Sequence, residues 1–431
     1  MGADTGRTFG VWTASALVVG SMIGSGIFVL PAAVAPSGWT AVAAWIAAIV
    51  GAMILATVLV RLIALRPDET GMVAILGSAL GPLPGVVFGW SFWVGIWSAN
   101  AIIAITAINY LGTFWPGFTA TPHYTAGFAV ALLWLLTLLN LQGTRAAGRF
   151  QVATTALKLL PLIAVAAIVL GLLAQGGQQF TAHPHTPFAL SALTPTVTIV
   201  FLALVGFETA AIAAERVRDP ARNILRATIA GLALTGLLYL IVSTGVAFAL
   251  PESVVAASSA PLAQFVEHFW GRAPALLLAG FAVIATVGCL NGWVLLSGEG
   301  PLGMARAGLL PRWMGATNRH DVAAPMIIVA SLLASILILS SANSTAGALL
   351  DFMLRMTTAS TMWLYFGACV AAWKFGVVRP AAVIGGAFSL WTLWGSGIEA
   401  LALSTALILV AVPLYYIALK APKMPEHAPV A

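Results

Sequence analysis

Few side chains in this sequence can do chemistry, and most of those stand among apolar neighbours. Of 431 residues, 13 are Asp or Glu and 19 are Lys or Arg. Glu208 sits in Ala203-Leu204-Val205-Gly206-Phe207-Glu208-Thr209, and Lys158 in Leu157-Lys158-Leu159-Leu160-Pro161. An ionisable group in an apolar helix is costly and usually faces a cavity, a pathway or a partner. Glu208 therefore reads as a proton-binding or gating group. Its plainer alternative is a carboxyl locked into helix packing by hydrogen bonds. Lys158 reads as a fixed internal cation or a proton carrier, unless its segment is shifted and the ammonium reaches the inner surface. Asn100 and Trp293 are candidates to line a cavity, with core packing as an equal rival. Asp351 and Arg355 are four apart, so they can pair along one helix face as a structural ion pair.

No converging catalytic set accompanies these groups. The sequence has no Gly-Lys-Ser/Thr phosphate loop and no His-Glu-x-x-His zinc motif. ATP-driven transport and metalloprotease chemistry are thereby disfavoured, and no catalytic residue, metal or cofactor is expected. Cys289 and Cys369 lie in apolar segments and read as buried thiols. His183 and His185 fall in a polar run that reads as a solvated loop rather than a metal site. The net charge of +6 does not indicate nucleic acid, because the basic residues are few and lie mostly at helix ends.

The elements that position these residues must lie in lipid. The chain is 61% hydrophobic and only 7% charged, against about 25% charged in soluble domains. It is an all-α polytopic membrane protein. Twelve spans are predicted, near 9–36, 38–64, 82–112, 124–143, 151–174, 190–214, 223–249, 273–300, 324–342, 345–372, 380–398 and 400–419. With the N-terminus in the cytoplasm, all basic residues except Arg272, Lys158 and Arg355 fall on or near the inner side. The positive-inside rule favours that orientation, with both termini cytoplasmic. The domain reading is one transporter unit over 1–419, followed by a short tail at 420–431. The connector 301–324 is expected to hold a short interfacial helix and a turn.

Two spans are irregular. Val19 to Pro31 reads Val-Gly-Ser-Met-Ile-Gly-Ser-Gly-Ile-Phe-Val-Leu-Pro. Glycine frees the backbone and permits close approach, and non-helical backbone survives in a membrane only where it faces protein or a polar cavity. A helix broken at mid-membrane is expected, with free amides able to meet a carboxylate. A small-residue packing face is the rival. Gly206 marks the second irregularity, in the sixth span. The separation of the two fits repeats over spans one to five and six to ten, with two spans added.

Gly24-Ser25-Gly26-Ile27-Phe28-Val29-Leu30-Pro31 resembles the first-span signature of the amino acid–polyamine–organocation transporters. Gly206-Phe207-Glu208-Thr209 and Glu215 to Asn223 resemble the sixth span and following loop of that superfamily. Gly292-Trp293 and Gly308-Leu309-Leu310-Pro311 are similar to the arginine/agmatine antiporter branch. The resemblance covers about residues 8–419.

It implies a LeuT-like five-plus-five inverted repeat, with repeats near 9–174 and 190–372 and extra helices at 380–419. Spans one and six are then discontinuous and bind an amino acid between them. It matches Ile23, Ser25, Gly26, Leu202, Ala203 and Val205 to backbone binding segments. Asn100 is matched to a polar binding residue, and Trp293 to an aromatic bounding the pathway. Phe92 is matched to a position near the outer gate, and Glu208 to gating and pH response. Lys158 matches a lysine of some proton-coupled relatives. The arginine/agmatine branch carries Trp where this chain has Leu202, and Leu cannot stack on a guanidinium. The expectation is an amino acid transporter or exchanger of the inner membrane, for neutral substrates and proton-coupled. A basic amino acid/polyamine antiporter is the alternative, and a channel or a non-transport membrane protein is a weaker one. Expected partners are the substrate, the bilayer and a second copy of the chain.

Overall fold

The computed structural model describes residues 11–24, 26–66, 69, 71–208, 220–342 and 346–420. Its elements are helices, because in lipid each backbone amide must find its partner within its own segment. The chain begins with α1 (Val11–Met22) and α2 (Gly26–Val34), whose axes bend by 52° across the residues between them. There follow α3 (Trp39–Leu65), α4 (Met72–Leu80), α5 (Pro82–Leu111), α6 (Pro122–Leu141) and α7 (Thr144–Ala174). The second half holds α8 (Leu190–Phe201), continued by a 3-10 turn at Leu202–Leu204, and then α9 (Pro220–Ala249), α10 (Pro261–Trp270) and α11 (Arg272–Arg306). It closes with α12 (Ala324–Ser341), α13 (Ala346–Lys374), α14 (Arg379–Gly395), α15 (Ile398–Leu409) and α16 (Ala411–Lys420).

Among the described residues, eight helices are long and apolar enough to cross a membrane, or nine with α1 and α2 as one broken span. The chain is therefore a multi-pass membrane protein. Helix α5 runs through its centre. Of the most apolar window of α5, 89% is buried, against 28% for Ile398–Lys420, so the last two helices lie at the lipid-facing edge. Neighbours grip α5 through polar groups as well as side-chain packing. Trp93 donates its Nε1–H to Ser297 O on α11 at 2.7 Å, and Thr357 Oγ1 on α13 lies 3.0 Å from Ser98 Oγ.

The sequence reading needs four corrections here. Helix α4, between the second and third spans, was not anticipated. Helix α11 does not stop near 300 but runs through Pro301 to Arg306, so the connector after it holds only a 3-10 turn at Arg312–Gly315. The loop with His183 and His185 is not simply solvated: His185 Nε2 donates to Phe248 O at 3.0 Å, and its ring packs on Phe248. Helix α10 is likewise an addition. It buries Pro261, Leu262, Ala263, Phe265 and Val266 and exposes Glu267 and His268. Cys289 and Cys369 are both buried thiols. The tail beyond Lys420 lies outside the described residues.

Candidate functional site

Both irregular stretches leave helical geometry, and they meet. Helix α1 ends at Met22, where Ile23 leaves helical geometry while its amide still bonds Val19 O. Gly24 N–H turns back onto Met22 O at 2.8 Å. Helix α2 restarts at Gly26. The first amides of a helix have no partner within it, and those of Gly26, Ile27 and Phe28 have no acceptor among the described residues. They form the positive end of a helix buried in the protein, where an anion is favoured.

The second interruption lies directly against the first. Helix α8 tightens into the 3-10 turn and then leaves helical geometry at Val205. Gly206 adopts φ +116°, a conformation open to glycine and strained for other residues. Its carbonyl accepts from Ser21 Oγ at 2.8 Å, which ties the end of α1 to the turn after α8. The approach is close throughout. A Cβ on Gly206 would lie 3.0 Å from Ser21 O, and one on Gly26 would lie 3.1 Å from Ala203 Cα. Glycine at these positions lets two backbones touch where side chains would hold them apart.

Glu208 lies in that turn, not in a helix as the sequence suggested. Its Oε2 accepts from Gly206 N–H at 3.1 Å and from Tyr365 O–H on α13 at 3.1 Å. Phe207 stacks on the same Tyr365 ring. The amide of Gly206 is therefore held by Glu208 and is not open to a solute, which narrows the expected anion site to the α2 amides.

Residues 9–426 match the family model described as amino acid permease. The chain belongs to the amino acid permease family. It is 28% identical to the "Cadaverine/lysine antiporter" of Escherichia coli (strain K12), over 96% of this chain and 95% of that protein. It is 28% identical to the "Putative arginine/ornithine antiporter" of Bacillus subtilis (strain 168), over 83% and 81%. To the "Arginine/agmatine antiporter" of Chlamydia abortus it is 25% identical, over 96% and 90%.

In this permease Ile23, Gly26, Leu202, Ala203 and Val205 all lie at the paired interruption, whereas Ser25 lies outside the described residues. Asn100, midway along α5, is fully buried, and neither its Oδ1 nor its Nδ2 has a partner among the described residues. Trp293 is half-buried on α11, one helical turn beyond Cys289, whose Sγ would lie 3.0 Å from a Cβ on Gly24. Lys158 is 1% exposed on α7 and forms no ion pair among the described residues, so the surface placement does not hold. Asp351 and Arg355 pair at 2.9 Å, as their spacing predicted.

Phe92 lies in the half of α5 that holds Trp93 and its bond to Ser297, while Tyr110, which bonds Phe28 O of α2, lies in the other half. Tyr365, Tyr239 and Tyr110 were not singled out from the sequence, yet each bonds at or beside the interruption. The available signal was a phenol inside an apolar span, since a buried Tyr hydroxyl usually finds a partner.

Proposed function

We propose that this permease is a secondary transporter that exchanges amino acids across the cytoplasmic membrane by alternating access. The observation that carries the reading is the contact between the break that separates α1 from α2 and the turn that ends α8, with the amides of Gly26, Ile27 and Phe28 having no acceptor among the described residues. A substrate carboxylate would sit at those amides. Its ammonium would meet backbone carbonyls near Ile23 and in the segment Leu202, Ala203 and Val205. Asn100 offers a buried donor and acceptor to the rest of the solute, and Trp293 bounds the path. Ser25 belongs to the same proposed set.

Glu208 is proposed as a gate. It joins Gly206 to Tyr365, so a change at its carboxylate would reach α8, α1 and α13 together. Lys158 is proposed as the site of proton coupling, since it is a buried cation that forms no ion pair among the described residues. Phe92 is proposed to stand near the outer gate. The proposed frame is twelve spans in a LeuT-like inverted repeat with both termini cytoplasmic. Its support is that α8, α13 and α14 bring the nine apolar spans to twelve, together with the positive-inside charge pattern.

Two substrate classes follow from different observations. Leu202 removes the ring that would stack on a guanidinium and favours a neutral amino acid. The names of the three relatives favour a basic amino acid exchanged for a diamine or a second basic amino acid. Uptake by purified protein in liposomes decides between them, using labelled leucine, lysine, arginine, cadaverine and agmatine with and without an imposed proton gradient. Saturable counterflow of one class supports the proposal. Conduction without saturation or competition would replace it with a channel.

A further inference from the structure

A helix that stops inside a membrane leaves carbonyls without partners. At the end of α1 one of the freed carbonyls is that of Met22. It accepts from Gly24 N–H at 2.8 Å and from Tyr239 O–H on α9 at 2.9 Å. On the other side of the interruption, Phe28 O of α2 accepts from Tyr110 O–H on α5 at 2.9 Å. The same phenol oxygen receives Leu262 N–H, near the start of α10, at 3.4 Å. Both tyrosines are 0% exposed.

Ring packing alone does not call for tyrosine at either place. Tyr239 meets Trp45 edge-to-face at 5.9 Å, and Tyr110 meets Phe28 edge-to-face at 5.6 Å. Phenylalanine would make both contacts. What the hydroxyls add is a hold on the backbone of each half of the broken span. The two holds come from different helices, and one of them is itself held by α10.

We infer that Tyr239 and Tyr110 are positioning residues for the substrate site: they fix α1 and α2 by one backbone carbonyl each, and so set where the amides of Gly26, Ile27 and Phe28 point. The inference rests on the proposed binding of a carboxylate at those amides. Ser21, which bonds Gly206 O, fixes the end of α1 to the sixth span. The tyrosines fix the two halves of the first span to the surrounding bundle. Three hydroxyls from three helices thus define the gap between Met22 and Gly26.

The test uses the full chain in lipid nanodiscs, as wild type, Tyr239→Phe and Tyr110→Phe, each checked by its unfolding temperature. Amide hydrogen exchange over residues 11–34 reports the positioning without any ligand. Both variants are expected to exchange faster there, while α12 exchanges as in wild type. Binding of labelled lysine and leucine reports the consequence. The affinity of the solute that wild type binds is expected to fall about fivefold in either variant, the loss of roughly one buried hydrogen bond. Unchanged exchange over 11–34 in both variants overturns the positioning role, whether or not a substrate is found. Faster exchange with unchanged affinity overturns the link to binding. Faster exchange when wild type binds neither solute upholds the positioning and counts against the transport site on which its consequence rests. A variant that only lowers the unfolding temperature, with wild-type exchange and affinity, reduces its tyrosine to packing.

Discussion

Gly206→Ala is the sharpest perturbation of the paired interruption. At φ +116° an L-residue occupies a strained region, which costs about 1–3 kcal/mol. The added methyl would also lie 3.0 Å from Ser21 O, 3.2 Å from Ser21 C and 3.4 Å from Met22 Cα. Those are backbone atoms at the end of α1 and cannot rotate away, so overpacking adds about 1–3 kcal/mol. The expected cost is about 3 kcal/mol. It appears either as a fall in unfolding temperature on the order of 5 °C, or as separation of α1 from the turn after α8 with loss of counterflow. Two further alanines calibrate it. Gly26→Ala meets Ala203 at 3.1–3.2 Å without backbone strain, for a cost of about 1 kcal/mol. Gly127→Ala, inside α6, meets nothing within 4 Å and should gain about 0.5–1 kcal/mol from helix propensity. Differential scanning fluorimetry and counterflow in liposomes read all three. Gly206→Ala with wild-type unfolding and wild-type counterflow would refute the reasoning, because the two backbones would then not be in contact.

Other substitutions separate the remaining readings. Leu202→Trp should raise the affinity for arginine or agmatine relative to leucine by restoring a ring for the cation; an unchanged preference in competition assays removes Leu202 from the specificity argument. Lys158→Met should leave the unfolding temperature equal or higher, since it deletes a buried charge with no acidic partner among the described residues. It should also abolish proton-gradient-driven uptake while leaving counterflow. Gradient-driven uptake at the wild-type rate would end the coupling proposal. Trp93→Phe loses the 2.7 Å bond to Ser297 O between α5 and α11 and should cost about 1–2 kcal/mol by thermal unfolding. Arg272→Ala breaks an ion pair whose side chains are 55% and 45% exposed, so it should change stability by less than about 1 kcal/mol. A large effect there would mean that the bond of Arg272 to Thr113 O, and not the ion pair, holds the start of α11 to the loop after α5.

The sequence by itself determined that this chain is a helical membrane protein, because a chain with 61% hydrophobic and 7% charged residues cannot be dissolved in water as a globule. It also located both interruptions, since glycine inside an apolar span signals backbone that must bend or be approached. The burial of Lys158 and the Asp351–Arg355 pair were legible for local reasons, apolar context and helical spacing. Only the tertiary structure decided what each interruption touches. The carbonyl of Gly206 meets Ser21, 185 residues away in sequence, and its amide is taken by Glu208, so an amide that looked open is closed. A phenol in an apolar span signals that the hydroxyl has a partner, but only the fold shows which one: the carbonyls of Met22 and Phe28 for Tyr239 and Tyr110, and the Glu208 carboxylate for Tyr365. That Trp93 and Tyr110 tie the two halves of α5 to α11 and α2 could be seen only in the fold. Hydrophobic pattern and glycine act along the chain and are read from it. Hydrogen bonds between distant spans depend on how the helices pack, which no local pattern records.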